Sequence, residues 1–462
     1  MSTLFKNFTI YTLGGVAARG ISILTLPLIT AYLVPSEYGE LDFLLLLGSF
    51  FYIVLNLGMD STLSYYYINH DELFMSKNQV ASIIFLISLT WGFFLIGVLP
   101  SQVLFKIYPQ FSLENIYLVC VIFFVEFFNR QFLNIFRLTR DSRKYITYDV
   151  VLSFLINGFT VILLVFSELQ ILAILFSRLI SNGLVLLFLL LQSKKLLEKP
   201  PLKSSIILTI LSFALPIFPQ AFGTYLFTFT DRFLIEKNFS SEELGVYSAT
   251  LKLTLIFVFF SSIFRLTILP DLLELLKLDA KIKLKKLYNT YFFFVHVIVS
   301  FSILLGPVVI FFLGDSYQSL SYLSGLMVVY PLYSAGFNIA TLGFWKIKKN
   351  YIPTIILVIS SVSNFYLTTY FISYFGLDGA IFSTAIISVF WIFATTYISN
   401  QYYNLHFSFA KQSVSCILFL AVIFFQTYLL KIKIDILISI LIFFIYIFIE
   451  AKIKGIKLKK IS

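Results

Sequence analysis

The sequence predicts an all-α integral membrane protein with about fourteen transmembrane helices, arranged as two six-helix lobes in parallel repeat plus two C-terminal helices. Three observations carry this expectation: composition, the recurrence of long apolar runs, and one repeated offset. Of 462 residues, 59% are hydrophobic and 12% charged, against roughly 25% charged in an ordinary soluble domain. A soluble core has no room for so much apolar surface. A helix needs about 20 apolar residues to cross a hydrocarbon layer of about 30 Å, and runs of that length recur along the whole chain.

Hydropathy places the spans near 9–33, 41–64, 80–105, 113–136, 146–167, 170–192 and 205–230, then near 246–268, 288–313, 319–345, 352–375, 379–399, 413–430 and 434–449. The last two are short, which makes twelve the lower count. Span 1 holds Gly14, Gly15, Gly20 and Pro27, and span 7 holds Pro216 and Pro219. Such residues bend transmembrane helices or let them approach closely, so Pro27, Pro216 and Pro219 are candidate hinges as well as candidate static kinks. The first run has no small-residue cleavage site and contains Arg19, so it is expected to remain as a span rather than leave as a signal peptide. Cys120 and Cys416 both fall inside spans and are expected to pack as small apolar residues, not to form a disulfide or bind metal.

The net charge of +11 is distributed by loop, not over one soluble face. With the N-terminus inside, inner segments hold 24 basic residues, including Arg137, Arg140, Arg143, Lys144, Lys194, Lys195, Lys199, Lys203 and the tail Lys452 to Lys460. Outer loops hold five: Lys106, Arg232, Lys237, Lys431 and Lys433. This bias predicts cytoplasmic termini and argues against nucleic acid as a partner. Asp271 to Tyr291, with lysines interleaved among leucines, reads as a helix on the inner surface meeting anionic membrane lipid.

A shift of 206 or 207 residues sets Glu37-Tyr-Gly39 on Glu243-Leu-Gly245. The same shift sets Arg140, Arg143, Tyr145 and Ile146 on Lys346, Lys349, Tyr351 and Ile352, and Ala173, Ile174 and Ser181 on Ala380, Ile381 and Ser388. Six spans per copy gives parallel topology. The expected organisation is an N-lobe over 1–200, a C-lobe over 201–405, and spans 13–14 with a basic tail over 406–462. Two such lobes would rock about a central cavity.

Ionisable residues within spans are costly and normally face a cavity or a partner. Arg19 lies mid-span 1, Arg178 mid-span 6 and Lys252 in the outer half of span 8, none with an acid nearby on its own helix. Glu126 and Arg130 in span 4 are spaced i, i+4 and face each other. These five are the candidate substrate-binding residues; Arg19 points most strongly to a cavity, and Glu126 with Arg130 reads equally as a structural pair. A shared basic cavity would attract an anion such as a phosphate or pyrophosphate headgroup. Asp60 and Arg265 read as snorkelling residues near inner span ends, Asp231-Arg232 as an interfacial feature, and His296 as a satisfied membrane histidine. No phosphate-cradling Gly-Lys motif, metal-ligand spacing or dinucleotide fingerprint occurs, so no cofactor, metal or catalytic residue is expected.

Several segments resemble one family, the Wzx-type O-antigen or polysaccharide-repeat-unit flippases of the multidrug, oligosaccharidyl-lipid and polysaccharide exporter superfamily. The resemblance rests on Pro35-Ser-Glu-Tyr-Gly39, Asn56-Leu-Gly-Met-Asp60, Leu215-Pro-Ile-Phe-Pro219 with Asp231-Arg-Phe-Leu, Glu243-Leu-Gly-Val-Tyr247 and Gly376-Leu-Asp-Gly-Ala380. It implies a transporter of the bacterial inner membrane, not an enzyme, that moves undecaprenyl-pyrophosphate-linked oligosaccharide to the periplasmic leaflet. Coupling to a proton or sodium gradient and a functional link to polysaccharide polymerase machinery follow by the same similarity, though no acid of the C-lobe marks an ion site. Two rival readings remain at this point. A drug or cation antiporter of the same fold would want unpaired acids where this sequence has bases; a membrane polysaccharide polymerase or ligase would want a long outer loop.

Overall fold

The computed structural model describes residues 3–107, 111–139, 141–192, 198–258, 272, 274–347, 349, 351–433 and 436–456. Arg140, Lys194, Lys195, Arg265, Asp271 and the tail from 457 lie outside the described residues. Every regular element among the described residues is helical. Eleven helices are long and apolar enough to cross a membrane, and the chain is a multi-pass membrane protein. Each of the eleven covers one expected run. The other three runs, 246–268, 319–345 and 434–449, are partly outside the described residues or broken into short pieces.

Two compact units divide the chain, Met1–Tyr225 and Leu226–Ser462. The first begins with α1 (Thr3–Tyr32), α2 (Pro35–Asn56), α3 (Met59–Ile68), α4 (Lys77–Ile107) and α5 (Leu113–Leu138). It continues with α6 (Ser142–Phe166), α7 (Ile171–Gln192), α8 (Ser204–Ala214) and the start of α9 (Phe218–Asn238). Polar side chains fasten α1 to α6: Thr25 Oγ1 donates to Asn157 Oδ1 (2.6 Å), and Asn157 Nδ2 donates to Ser22 Oγ (3.1 Å). Asn129 Nδ2 on α5 donates to the carbonyl and Oδ1 of Asn182 on α7, both at 3.0 Å. Helices in lipid gain little from apolar contact alone, so such interhelical bonds help fix their pairing.

Span 2 is not one straight helix. It breaks at Leu57 (φ 41°) and Gly58 (φ 80°), which separate α2 from α3. Span 7 breaks too, at a 3₁₀ turn over Leu215–Ile217 where Pro216 has no N–H to give, and the N–H of Phe218 bonds Leu215 O. The Ala214 carbonyl at that turn is set against Gly58, where a Cβ would lie 2.5 Å from its oxygen. The two breaks thus pack against each other. Pro27, by contrast, lies within an unbroken α1.

The second unit comprises the rest of α9, α10 (Ser241–Thr254), α11 (Lys281–Ile310), and a run of short pieces that includes α12 (Val329–Ala335), α13 (Phe337–Ala340) and α14 (Leu342–Lys346). It closes with α15 (Tyr351–Phe375), α16 (Leu377–Tyr402), α17 (Phe409–Lys431) and α18 (Ile436–Lys454). Span 10 was expected as a single helix over 319–345 and is instead three short helices preceded by 3₁₀ turns. Its backbone runs against neighbours too closely for side chains: a Cβ on Gly343 would lie 1.9 Å from Ser399 O. Irregular backbone at membrane depth is tolerated where protein buries it, and Leu323, Val328, Val329 and Leu332 are fully buried.

The surface helix expected over Asp271 to Tyr291 does not exist as one element. The chain turns at Asp279 (φ 53°), and Lys281 opens the long α11. Two of its lysines engage protein, Lys285 Nζ donating to His406 O (2.5 Å) and Lys281 lying 5.1 Å from the Tyr403 ring centroid, while Lys283 and Lys286 are exposed. Both residues of the repeat pattern's buried pairs behave alike, with Ala173 and Ala380 at 0% exposure and Ser181 and Ser388 also at 0%.

Candidate functional site

Four of the five candidate substrate-binding residues fall in the first unit. Glu126 and Arg130 form the expected pair on α5, Nη2 to Oε1 at 2.5 Å. Arg178 on α7 brings its Nη1 to 4.0 Å from the other oxygen, Glu126 Oε2. Glu126 therefore lies between two guanidiniums, and Arg178 is not the unpaired cation that its own helix suggested. Arg19 is exposed on α1, the helix packed along α6, and its charge acts on Asp149 of α6, as does that of Arg130. Tyr145, one turn before Asp149, feels Arg19, Arg130 and Arg137.

The cluster therefore sets Arg19, Arg130 and Arg178 against Glu126 and Asp149, with Asp60 as a third carboxylate acting on Arg130. Arg130 also stacks over Tyr52 of α2, 4.7 Å from the ring centroid, and is half exposed. Tyr52 OH donates to Asp60 Oδ2 (3.3 Å), which also accepts from Asn56 Nδ2 (3.1 Å), while Asp60 Oδ1 accepts from Gln131 Nε2 (2.6 Å). Asp60 is thus held inside the unit at the span 2 break, not snorkelling at a span end. Asp149 and Tyr52 escaped sequence reasoning because both are ordinary for their positions, one near a span start and the other an aromatic in an apolar run.

Lys252 lies half-buried on α10 in the second unit, apart from the other four candidates in the division of the chain. Pro216 and Pro219 stand at a real interruption, as described above.

Asp231 is held inside the second unit. It is 4% exposed, two turns inside α9, and accepts from Thr384 Oγ1 (2.7 Å) and Tyr247 OH (3.0 Å). Thr384 Oγ1 also lies 3.2 Å from Asn364 Oδ1. The C-terminal half therefore does hold a buried acid ringed by oxygen atoms. His296, expected to be satisfied, is: it bonds Tyr333, Tyr446 and Glu450. Among the described residues no three His, Cys, Asp or Glu side chains group as a metal site. Cys120 and Cys416 are free thiols.

Comparison with known proteins now has a geometry to meet. The profile of the family described as "Polysaccharide biosynthesis protein" matches residues 4–276, more than half of the chain. Among solved structures, the chain is similar to lipid II flippase MurJ in an inward closed conformation, with TM-score 0.68 and 17% identity over 96% of this chain and 98% of that one. It is also similar to an inward-facing MATE-family multidrug resistance transporter (TM-score 0.63, 15% identity, 85% of this chain and 94% of that one). The outward-facing conformation of a MATE-family transporter gives TM-score 0.61 and 14% identity, over 86% and 95%. At these identities the likeness concerns the fold. No curated protein sequence matches the chain.

Proposed function

The chain belongs to the polysaccharide biosynthesis protein family, and we propose that it is a flippase for undecaprenyl-pyrophosphate-linked oligosaccharide repeat units. It moves them from the cytoplasmic to the periplasmic leaflet of a bacterial inner membrane by alternating access, with both termini cytoplasmic. Surface polysaccharide, O-antigen included, is the destination of such units, and polymerase machinery is the next partner. The transporter fold supports a carrier over a polymerase or ligase.

One observation carries the substrate class: the basic cluster of Arg19, Arg130 and Arg178. A guanidinium presents a planar fork of donors that suits phosphate oxygens. Glu126 and Asp149 hold the arginines in place and offset part of their charge, so a pyrophosphate is attracted without being trapped. The similarity to a protein named a lipid II flippase supports a lipid-linked substrate. Lys252 is a further contact for the substrate. Pro27, Pro216 and Pro219 are the places where the helices flex. The N-lobe, C-lobe and spans 13–14, over 1–200, 201–405 and 406–462, are the moving parts.

Transport is coupled to a proton or sodium gradient, and the oxygen cage of Asp231 supports a cation-binding element in the second unit. The same buried acid favours a second reading, a drug or cation antiporter of MATE type. The guanidiniums gathered in the first unit, Arg130 half exposed among them, oppose it.

The test measures surface polysaccharide at matched protein levels in cells carrying Arg19→Ala or Arg178→Ala. Loss of a charge-assisted contact of about 1.5–3 kcal/mol predicts roughly a ten- to hundredfold fall in export. Undiminished export in either variant removes that arginine from the mechanism, and efflux of organic cations with intact polysaccharide would favour the antiporter. Orientation is checked by labelling Lys433→Cys and Lys457→Cys from outside intact cells: position 433 should label and 457 should not.

A further inference from the structure

We propose that His296 of α11 and Glu450 of α18 form a proton-binding site, with the imidazole carrying the proton and the carboxylate as its counter-ion. The site joins four helices of the second unit. His296 Nδ1 lies 3.0 Å from Glu450 Oε1, and Nε2 lies 2.7 Å from Tyr333 OH on α12. Tyr446 OH of α18 is 2.9 Å from Nδ1. Ser415 Oγ of α17 donates to the same carboxylate oxygen (2.6 Å), and Lys454 Nζ lies 3.4 Å from it, one helical turn on. His296 is 1% exposed and Glu450 0%.

Burying three titratable side chains has a large desolvation cost, and apolar packing of the same volume joins helices as firmly or more so. Within a membrane such a group calls for a function. The geometry supplies one. A proton on Nδ1, facing the carboxylate, leaves Nε2 to accept from the Tyr333 hydroxyl in the neutral ring. A second ring proton on Nε2 is satisfied by the Tyr333 oxygen once its hydroxyl rotates. Both protonation states are therefore accommodated without moving a heavy atom, which a purely structural histidine does not require.

With the ring neutral, Glu450 and Lys454 cancel in charge, so an added proton makes the cluster net positive. Glu450 Oε2, buried and without a partner among the described residues, is a second acceptor beside it. The other titratable groups around the ring are Tyr288 on α11 and Cys416 on α17, both of which act on Tyr333. Tyr247 of α10, which also packs on α11, is committed to Asp231. Tyr333 sits in the interrupted span 10, whose backbone at Leu332 O also accepts from Tyr291 OH (2.9 Å). Proton loading is thereby felt by a segment that a continuous helix does not stiffen, and spans 13 and 14 are part of the machinery rather than an appendage. The proposal deepens the transport reading by supplying a coupling ion, and depends on that reading only for this role.

The test uses the full chain in lipid nanodiscs with His70→Asn and His406→Asn, which leaves His296 as the sole histidine. Its ¹⁵N imidazole resonances are followed from about pH 4.5 to 9. The ring should pass between neutral and imidazolium forms, and Glu450→Gln should lower the midpoint by at least about one pH unit, a tenfold weaker proton affinity. Lys454→Met, which removes the competing positive charge, should raise it, and serves if the Glu450 variant does not fold. A ring that stays neutral throughout, or midpoints that neither variant moves, overturns the proposal. In proteoliposomes, His296→Gln should abolish the dependence of flipping on a proton gradient. A wild-type protein that binds this proton but moves no lipid-linked saccharide overturns the transport reading and leaves the proton site standing. Flipping with a silent ring does the reverse.

Discussion

Substituting Gly58 by alanine tests the packing of the span 2 break against the span 7 break. The backbone at Gly58 has φ 80°, where a residue with a Cβ pays about 1–2 kcal/mol. The new methyl would also stand 2.5 Å from Ala214 O, about an ångström inside ordinary contact. Both walls are backbone, so relief comes only by shifting the start of α3 or the end of α8. Overpacking of that kind costs about 1–3 kcal/mol, which puts the total at about 2–5 kcal/mol. Gly97→Ala is the internal control. Gly97 lies within α4 with nothing near its would-be Cβ, so alanine there should stabilise by up to about 1 kcal/mol through helix propensity alone. Thermal unfolding of the two purified variants, read at one scan rate because unfolding in detergent is irreversible, should move in opposite directions, with Gly58→Ala melting several degrees lower. A Gly58 variant melting at or above the wild type, or a Gly97 variant falling as far, refutes the reasoning.

Two further outcomes are expected. The connector after α7 is pinned to the first unit: Ser76 Oγ (2.7 Å) and Asn78 Nδ2 (2.9 Å) both donate to Glu198, whose own N–H bonds Ser82 Oγ (3.0 Å). These donors hold the Glu198 carboxyl below its usual range. A depressed value in the folded state means that the attachment is present above about pH 4.3 and fades as pH falls through the lowered value. Hydrogen exchange at 198–203 should therefore rise on acidification, and Glu198→Gln should flatten that response. Asn129→Ala, which leaves the buried Asn182 Oδ1 without its donor, should cost about 1–2 kcal/mol. The Asn129→Ala/Asn182→Ala pair should lose less than the sum of the singles, and strict additivity would show that the pair does not couple α5 to α7.

Hydropathy alone located the spans because each helix in lipid must satisfy its own backbone, and a run of apolar residues is the direct imprint of that demand. The interruptions were not legible, since what makes them tolerable lies elsewhere in the chain. Gly58 depends on Ala214, and the pieces of span 10 depend on Ile303 and Ser399. Arg19, Glu126, Arg130 and Arg178 stood out as charges in apolar runs. The Glu126–Arg130 pair was legible from its spacing, but the approach of Arg178 was not, because Arg178 meets Glu126 across two helices and local spacing reports only neighbours on one helix. Asp231 was misplaced by the end of a hydropathy run, although α9 continues to Asn238. Glu450 was hidden for a similar reason: it follows the apparent end of span 14 at residue 449, and its partner His296 is 154 positions away.

The contact between Gly58 and Ala214 bears on how the chain is made. Synthesis reaches the polar connector near residue 200 with six spans emerged, which looks like a resting point for the first half. Yet the carbonyl that seats Gly58, the Phe213 ring stacked on Tyr65, and the Tyr225 hydroxyl that donates to Leu46 O all lie beyond it. The bent second span must therefore wait, incompletely packed and exposed to lipid or to the insertion machinery, until the seventh has been delivered. A pause in translation at the connector would lengthen that wait, and one placed after residue 238 would not.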